Sequence, residues 1–357
     1  MNRLRPAAAR LEGMVAYDPC YLPADAFLSA NENASDVPAS IRTLIAKQLS
    51  QTPFNRYPDP MAHGLRTLLA EAHGLDSNQV IVGNGGDELL FNIALAWGGS
   101  GRKMLNVPPT FSVYAHNAAL TGTEVVNVWR RPDMTIDEEA VCARVAQGDI
   151  DFLILTSPNN PSGNRADMAF IKRLLNSSDA LVVVDEAYGE FCGVSTLPLL
   201  KDHENLAILH TFSKAYSLAA VRLGYLFAHT ELISALTKVR QPYSVDTLSQ
   251  VVGTCVFEQR AQFIPVIDKI KHQRALMYDA LSDIEGLYVF PSEANYLLIR
   301  VERAHALWEK LYERKVLVRD FSATPGLENC LRITIGSEEE NALLLKELKQ
   351  LVAKEAS

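Results

Sequence analysis

Four short polar stretches each follow an apolar run, and each carries side chains able to do chemistry. After "LAIL" comes "HTFSKAYSLAAVR" (210–222), with one lysine, Lys214. A lysine in an apolar pocket loses part of its proton affinity and becomes nucleophilic toward carbonyls. Thr211 and Ser213 offer hydroxyls beside it, and Arg222 is a fork suited to phosphate. After "LVVV" comes "DEAY", where a buried Asp185 needs a cation or several donors, with Tyr188 three residues later. After "FLILT" comes "SPNNPSG", in which Asn160 offers an amide held by Pro161. After "VIV" comes "GNGGDELL" (83–90), where Gly85, Gly86 and Asp87 open a helix whose free N–H groups suit an anion. Taken singly, these stretches also read as a surface lysine, an N-cap, a proline turn and a strand-to-helix turn. Together they ask for a phosphate, a ring nitrogen that wants a carboxylate, a ring oxygen that wants donors and an aldehyde that wants a lysine. Pyridoxal 5'-phosphate has all four.

Strand ends must present these groups. The runs 79–83, 103–107, 124–129, 151–156, 180–186 and 205–210 read as strands, with helical patterns over 86–97, 110–120 and 168–178. Strands apolar at every position, alternating with helices, predict an α/β fold with a mostly parallel sheet covered on both faces. Such sheets collect function at the carboxyl ends of their strands. From about residue 256 the rhythm changes to a long helix over 266–283, a few strands and a closing helix, which predicts a small α+β domain. The expected division is an N-terminal segment (1–40), irregular and contributing to the small domain and to dimer contacts, a large cofactor-binding domain (41–255) and a small C-terminal domain (256–357).

Bulk properties narrow the rest. The chain has 357 residues, 48% hydrophobic and 21% charged, and a formal net charge of −8. No basic stretch suggests nucleic acid, and no apolar run is long enough for a membrane span. Five scattered cysteines, none in a CxxC pair, fit reduced thiols in a cytoplasm, and no metal site is expected.

The motifs "NRYPDP", "GNGGDE", "PPTFSVY", "SPNNPSG", "VVDEAYGEF", "HTFSKAYSLAAVRLGY" and "LRITIG" occur in this order along the chain. In order and spacing they resemble the class I and II aminotransferases of the fold-type I pyridoxal-phosphate enzymes, and most of all the histidinol-phosphate aminotransferases. The resemblance implies a seven-stranded-type sheet and a reversible transfer of an amino group between L-histidinol phosphate and 2-oxoglutarate, with the chain acting in histidine biosynthesis. It implies Lys214 as the lysine that condenses with the cofactor's aldehyde and then moves the proton, and Asp185 as the partner of the ring nitrogen. Asn160 and Tyr188 would face the ring hydroxyl, and Phe111 would stack on the ring. Gly85, Gly86, Asp87, Thr211, Ser213 and Arg222 would hold the phosphate.

The same resemblance implies that Tyr57 reaches the partner subunit's phosphate, so that a homodimer shares its active sites. Arg332 would take a substrate carboxylate and Arg319 a substrate phosphate, with Asn33 and Tyr21 as further substrate contacts. "NENASDVP" (31–38) departs from the family's usual proline after the second Asn, and Phe111 replaces the more usual Tyr. Aromatic or other amino acids, or phosphoamino-acid decarboxylation on the same fold, are the alternative activities.

Overall fold

Apolar runs in the middle of the chain form strands because both of their faces are buried. The computed structural model describes residues 5, 7–16 and 22–355. In chain order the strands are β1 (Ala26–Leu28), β2 (Val80–Asn84), β3 (Lys103–Asn106), β4 (Glu124–Asn127), β5 (Phe152–Thr156), β6 (Leu181–Asp185) and β7 (Leu206–Thr211). They continue with β8 (Leu223–Ala228), β9 (Leu287–Val289), β10 (Tyr296–Val301), β11 (Val316–Asp320) and β12 (Cys330–Thr334).

A seven-stranded sheet has the order β2-β8-β7-β6-β5-β3-β4. Its pairs from β7 to β4 are all parallel, and only β8 runs against its neighbours. Along β6, Val182 and Val184 join one core cluster while Leu181 and Val183 join another. Along β7, Leu206 and Ile208 divide from Ala207 and Leu209 in the same way. Each of these valines, leucines and the isoleucine contributes roughly 1.5–3 kcal/mol by leaving water, so the centre of the sheet is fixed from both sides. The helix Met168–Leu175, opened by the Asp167 carboxylate accepting from Ala169 N, covers the first face with Phe170, Ile171 and Leu174. The helices Gly85–Trp97 and Thr230–Val239 cover the second with Leu89, Ile93, Leu232 and Leu236.

The second sheet has five strands in the order β1-β11-β12-β10-β9. Its last four come from residues 287–334, and its first is β1, which pairs in parallel with β11. The N-terminal stretch is therefore not wholly irregular. Three residues suffice for β1 because Ala26 and Leu28 are fully buried against a strand from the other end of the chain.

Pattern reading also missed β8. Its sequence, "LGYLFA", holds a glycine, and it follows only a single turn of 3-10 helix (Ala219–Val221) after the lysine loop. Gly224 is required there: a Cβ on it would stand 2.6 Å from Gly86 N and 2.7 Å from Gly85 C. Strand β8 thus lies directly against the first turn of the helix Gly85–Trp97. Gly224→Ala should push the two apart and lower stability by about 1–3 kcal/mol. A thermal melt unchanged from the unsubstituted protein would contradict that contact.

Candidate active site

Register brings the four chemical stretches to one edge. Thr156 stands beside Asp185 across β5 and β6, and Thr211 beside Gly224 across β7 and β8. Asn84, which ends β2, stands beside Leu223, which begins β8. Because β8 runs antiparallel, its beginning lies where the parallel strands end. That places Arg222, the residue before it, at the same edge as Lys214.

Asp185 is 4% exposed at the end of β6. Its Oδ2 accepts from the Tyr114 hydroxyl at 2.6 Å and its Oδ1 from Ala187 N at 3.0 Å. Burial nevertheless pushes its carboxyl up to about 6, because two neutral donors only partly replace water. Tyr114 is itself buried, and its oxygen lies 2.6 Å from Thr156 Oγ1. Tyr114 and Thr156 were not foreseen as site residues. The signal for Tyr114 was its place one helical turn after Phe111, whose ring meets the Tyr114 ring edge-on at 5.5 Å.

Lys214 is partly buried, and its Nζ donates to Ala30 O at 3.0 Å. Burial first, and then the charge of Arg332, lowers it to about 8. The segment 29–33 also meets the other groups. Ser29 O accepts from Arg332 Nη2 at 2.5 Å, and Asn31 Nδ2 donates to the Tyr188 hydroxyl at 2.9 Å. Asn33 Nδ2 lies 3.4 Å from the carbonyls of both Lys214 and Ala215, so its amide is turned to the lysine loop. Asn31, tied also to Thr334 and Asn295, is a further unforeseen member. Tyr21 lies outside the described residues.

Arg332 is 6% exposed, and its Nη1 donates to Asn160 Oδ1 at 2.5 Å. Arg319 stands directly opposite it across β11 and β12. At the other side of the site, Thr211 Oγ1 and Ser213 Oγ are 3.0 Å apart, and Ser213 N donates to Thr211 Oγ1. Arg222 Nη2 donates to Asp87 Oδ2 at 3.0 Å. Gly85, at φ +77°, leaves room for that guanidinium, since a Cβ there would stand 2.8 Å from Arg222 Nη2. Tyr57 stays outside this cluster, 82% exposed and stacked on Tyr243 at 4.6 Å.

These residues fit the cofactor expected from the sequence. A desolvated carboxylate, an amine of lowered proton affinity and a glycine-lined helix start beside two hydroxyls and a guanidinium match a ring nitrogen, an aldehyde and a phosphate in turn.

The class I and II aminotransferase family model matches residues 26–348. The chain belongs to this family and is an aminotransferase. It is 38% identical over 353 residues to histidinol-phosphate aminotransferase 1 of Carboxydothermus hydrogenoformans, covering 99% of this chain and 100% of that one. It is 39% identical to histidinol-phosphate aminotransferase 1 of Ralstonia nicotianae, over 89% of this chain and 87% of that one. The crystal structure of histidinol-phosphate aminotransferase from Sinorhizobium meliloti, in complex with pyridoxal-5'-phosphate, shares the fold with a TM-score of 0.87 at 24% identity, over 99% of this chain and 98% of that one. Among the described residues no helix is long and apolar enough to cross a membrane.

Glu186, the residue after Asp185, turns to the opposite face of the sheet and is 2% exposed. It accepts from Thr196 N, Thr196 Oγ1 and Ser195 Oγ, and its Oε2 lies 3.2 Å from His210 Nε2. Burial acts against a charged His210, but Glu186 and Glu190 outweigh it and push the imidazole up to about 10. The folded value lies above the unfolded one of about 6.5. The stability this charge contributes is therefore complete below about pH 6.5 and is lost as pH rises toward 10. Unfolding free energy should fall over that window, and less so in His210→Gln. Identical slopes for the two proteins would contradict the ion pair.

Proposed function

We propose that this aminotransferase moves an amino group between L-histidinol phosphate and 2-oxoglutarate, giving imidazole acetol phosphate and L-glutamate, with pyridoxal 5'-phosphate as cofactor. The end-to-end likeness to a histidinol-phosphate aminotransferase carries this reading. Two arginines facing one another across β11 and β12 agree with it, because the site must take a phosphate monoester and a dicarboxylate in turn. The reaction belongs to histidine biosynthesis, and the reading puts the enzyme in the cytoplasm as a homodimer. Tyr57, exposed in the single chain, would then reach the partner subunit's phosphate group. The same reading keeps the divisions at residues 40 and 255.

When bound, pyridoxal phosphate supplies an aldehyde that takes up the substrate amine and a ring that draws off the electron pair released at Cα. The chain supplies the rest. Asp185 would hold the ring nitrogen with its proton on, since that cation replaces the solvation its carboxylate lacks. Asn160 and Tyr188 would face the ring hydroxyl, and Phe111 would lie against the ring. The N–H groups at Gly85, Gly86 and Asp87, with Thr211, Ser213 and Arg222, would hold the phosphate.

Lys214 Nζ, lowered to about 8, can be neutral at working pH and takes the proton from substrate Cα. It returns one there in the reverse half-reaction. Arg332 would give up Ser29 O for a substrate carboxylate, and Arg319 would take the phosphate.

A panel of amino donors with 2-oxoglutarate tests the substrate. Histidinol phosphate should give the highest kcat/KM, and activity confined to phenylalanine or tyrosine would contradict the proposal. Lys214→Ala should lose turnover by at least roughly 1000-fold while still binding the cofactor, now released on dialysis and not fixed by borohydride. Turnover at the normal rate in that variant would remove Lys214 from its role.

A further inference from the structure

Arg319 and Arg332 occupy paired positions on one face of the five-stranded sheet. Two guanidinium groups so placed repel, and the repulsion grows as solvent is excluded. Asp320, between Arg319 and Phe321, does not offset it. Strand alternation turns its carboxylate away, where Oδ2 meets His305 Nδ1 at 2.7 Å and Oδ1 accepts from Ser322 N.

Phe321, two residues after Arg319, returns to the arginines' face. Its ring centre lies 5.9 Å from Arg319 Cζ and 5.6 Å from Arg332 Cζ. Both lie within the range at which the negative face of an aromatic ring attracts a cation. The ring is anchored, since Phe321 N donates to Cys330 O at 3.1 Å and the side chain packs against the cluster formed by Met134, Phe290, Leu298, Leu327 and Cys330. Arg332 has a second ring at 5.4 Å, that of Tyr296, which is itself held by its hydroxyl on Asn159 O at 2.6 Å.

We propose that Phe321 is a positioning and specificity-determining residue, its ring setting the Arg319 and Arg332 guanidinium groups so that one pocket accepts a phosphate monoester in one half-reaction and a dicarboxylate in the other. This deepens the reading above and rests on it. Phe321 itself neither binds the cofactor nor moves a proton. Its removal should therefore weaken the hold on anionic substrates and leave the chemical step intact.

The test is steady-state kinetics of the holoenzyme with Phe321→Leu, which keeps an apolar side chain and loses the ring face, and with Phe321→Tyr, which keeps the ring. In Phe321→Leu, KM for histidinol phosphate and for glutamate should each rise about tenfold, with kcat within about threefold. The competitive inhibition constant of inorganic phosphate should rise by a similar factor. Phe321→Tyr should restore all three.

L-Histidinol, which carries neither phosphate nor carboxylate, serves as the control donor, and its kcat/KM should change least. Unchanged KM values for both anionic substrates in Phe321→Leu would overturn the proposal. So would an equal loss for L-histidinol, or a failure of Phe321→Tyr to restore the constants. If the unsubstituted enzyme does not use histidinol phosphate, the substrate reading fails, but the glutamate and inorganic phosphate arms still decide the role of Phe321. Should Phe321→Leu not fold, Phe321→Met gives the same comparison.

Discussion

Asp185 ends a strand buried on both faces, where water cannot solvate its charge. A tyrosine hydroxyl and one backbone N–H are its donors, and its carboxyl is pushed up to about 6. A carboxylate so placed is most stable when a cation arrives to face it. Much of the surrounding architecture follows from that need. The parallel strands end together at this edge, and Tyr114, buried and held at Thr156, keeps the carboxylate aligned. The rest of the strand end is secured from the opposite face, where Glu186 is tied to His210 and to the 195–196 turn.

The same edge joins the two sheets. Arg332 comes from the small sheet, Asn160 from the loop after β5 of the large one and Ser29 from the N-terminal segment, and one guanidinium holds the latter two. Lys214 reaches the neighbouring carbonyl, Ala30 O. Backbone carbonyls of residues 29 and 30 thus engage an arginine and a lysine that the proposed chemistry uses. A carboxylate is a stronger acceptor than either carbonyl.

Several of these features were legible in the sequence for physical reasons. Continuous apolar runs imply a two-sided core, so the parallel sheet and the places where it stops could be read from periodicity alone. Lys214, Asp185 and Asn160 stood out because polar side chains directly after such runs need partners. Strand β8 was not legible, since its glycine answers to a backbone contact with residues 85–86 that no local pattern records. Nor was β1, whose three residues depend on a strand nearly 300 positions away. Tyr114 and Asn31 were hidden for a related reason. Their value lies in hydrogen bonds to Asp185 and Tyr188, and the sequence around each reads as an ordinary helix or loop.

The most direct measurement is the affinity of cofactor-free protein for pyridoxal phosphate across pH 5 to 8, compared with that of Asp185→Asn. At pH 7.5 the asparagine protein should bind roughly 100-fold more weakly, since a buried cation would then lack its counter-charge. The gap should narrow by about tenfold for each pH unit below about 6, as the aspartate takes up its proton. Equal affinities at pH 7.5, or a gap that does not change with pH, would contradict the account.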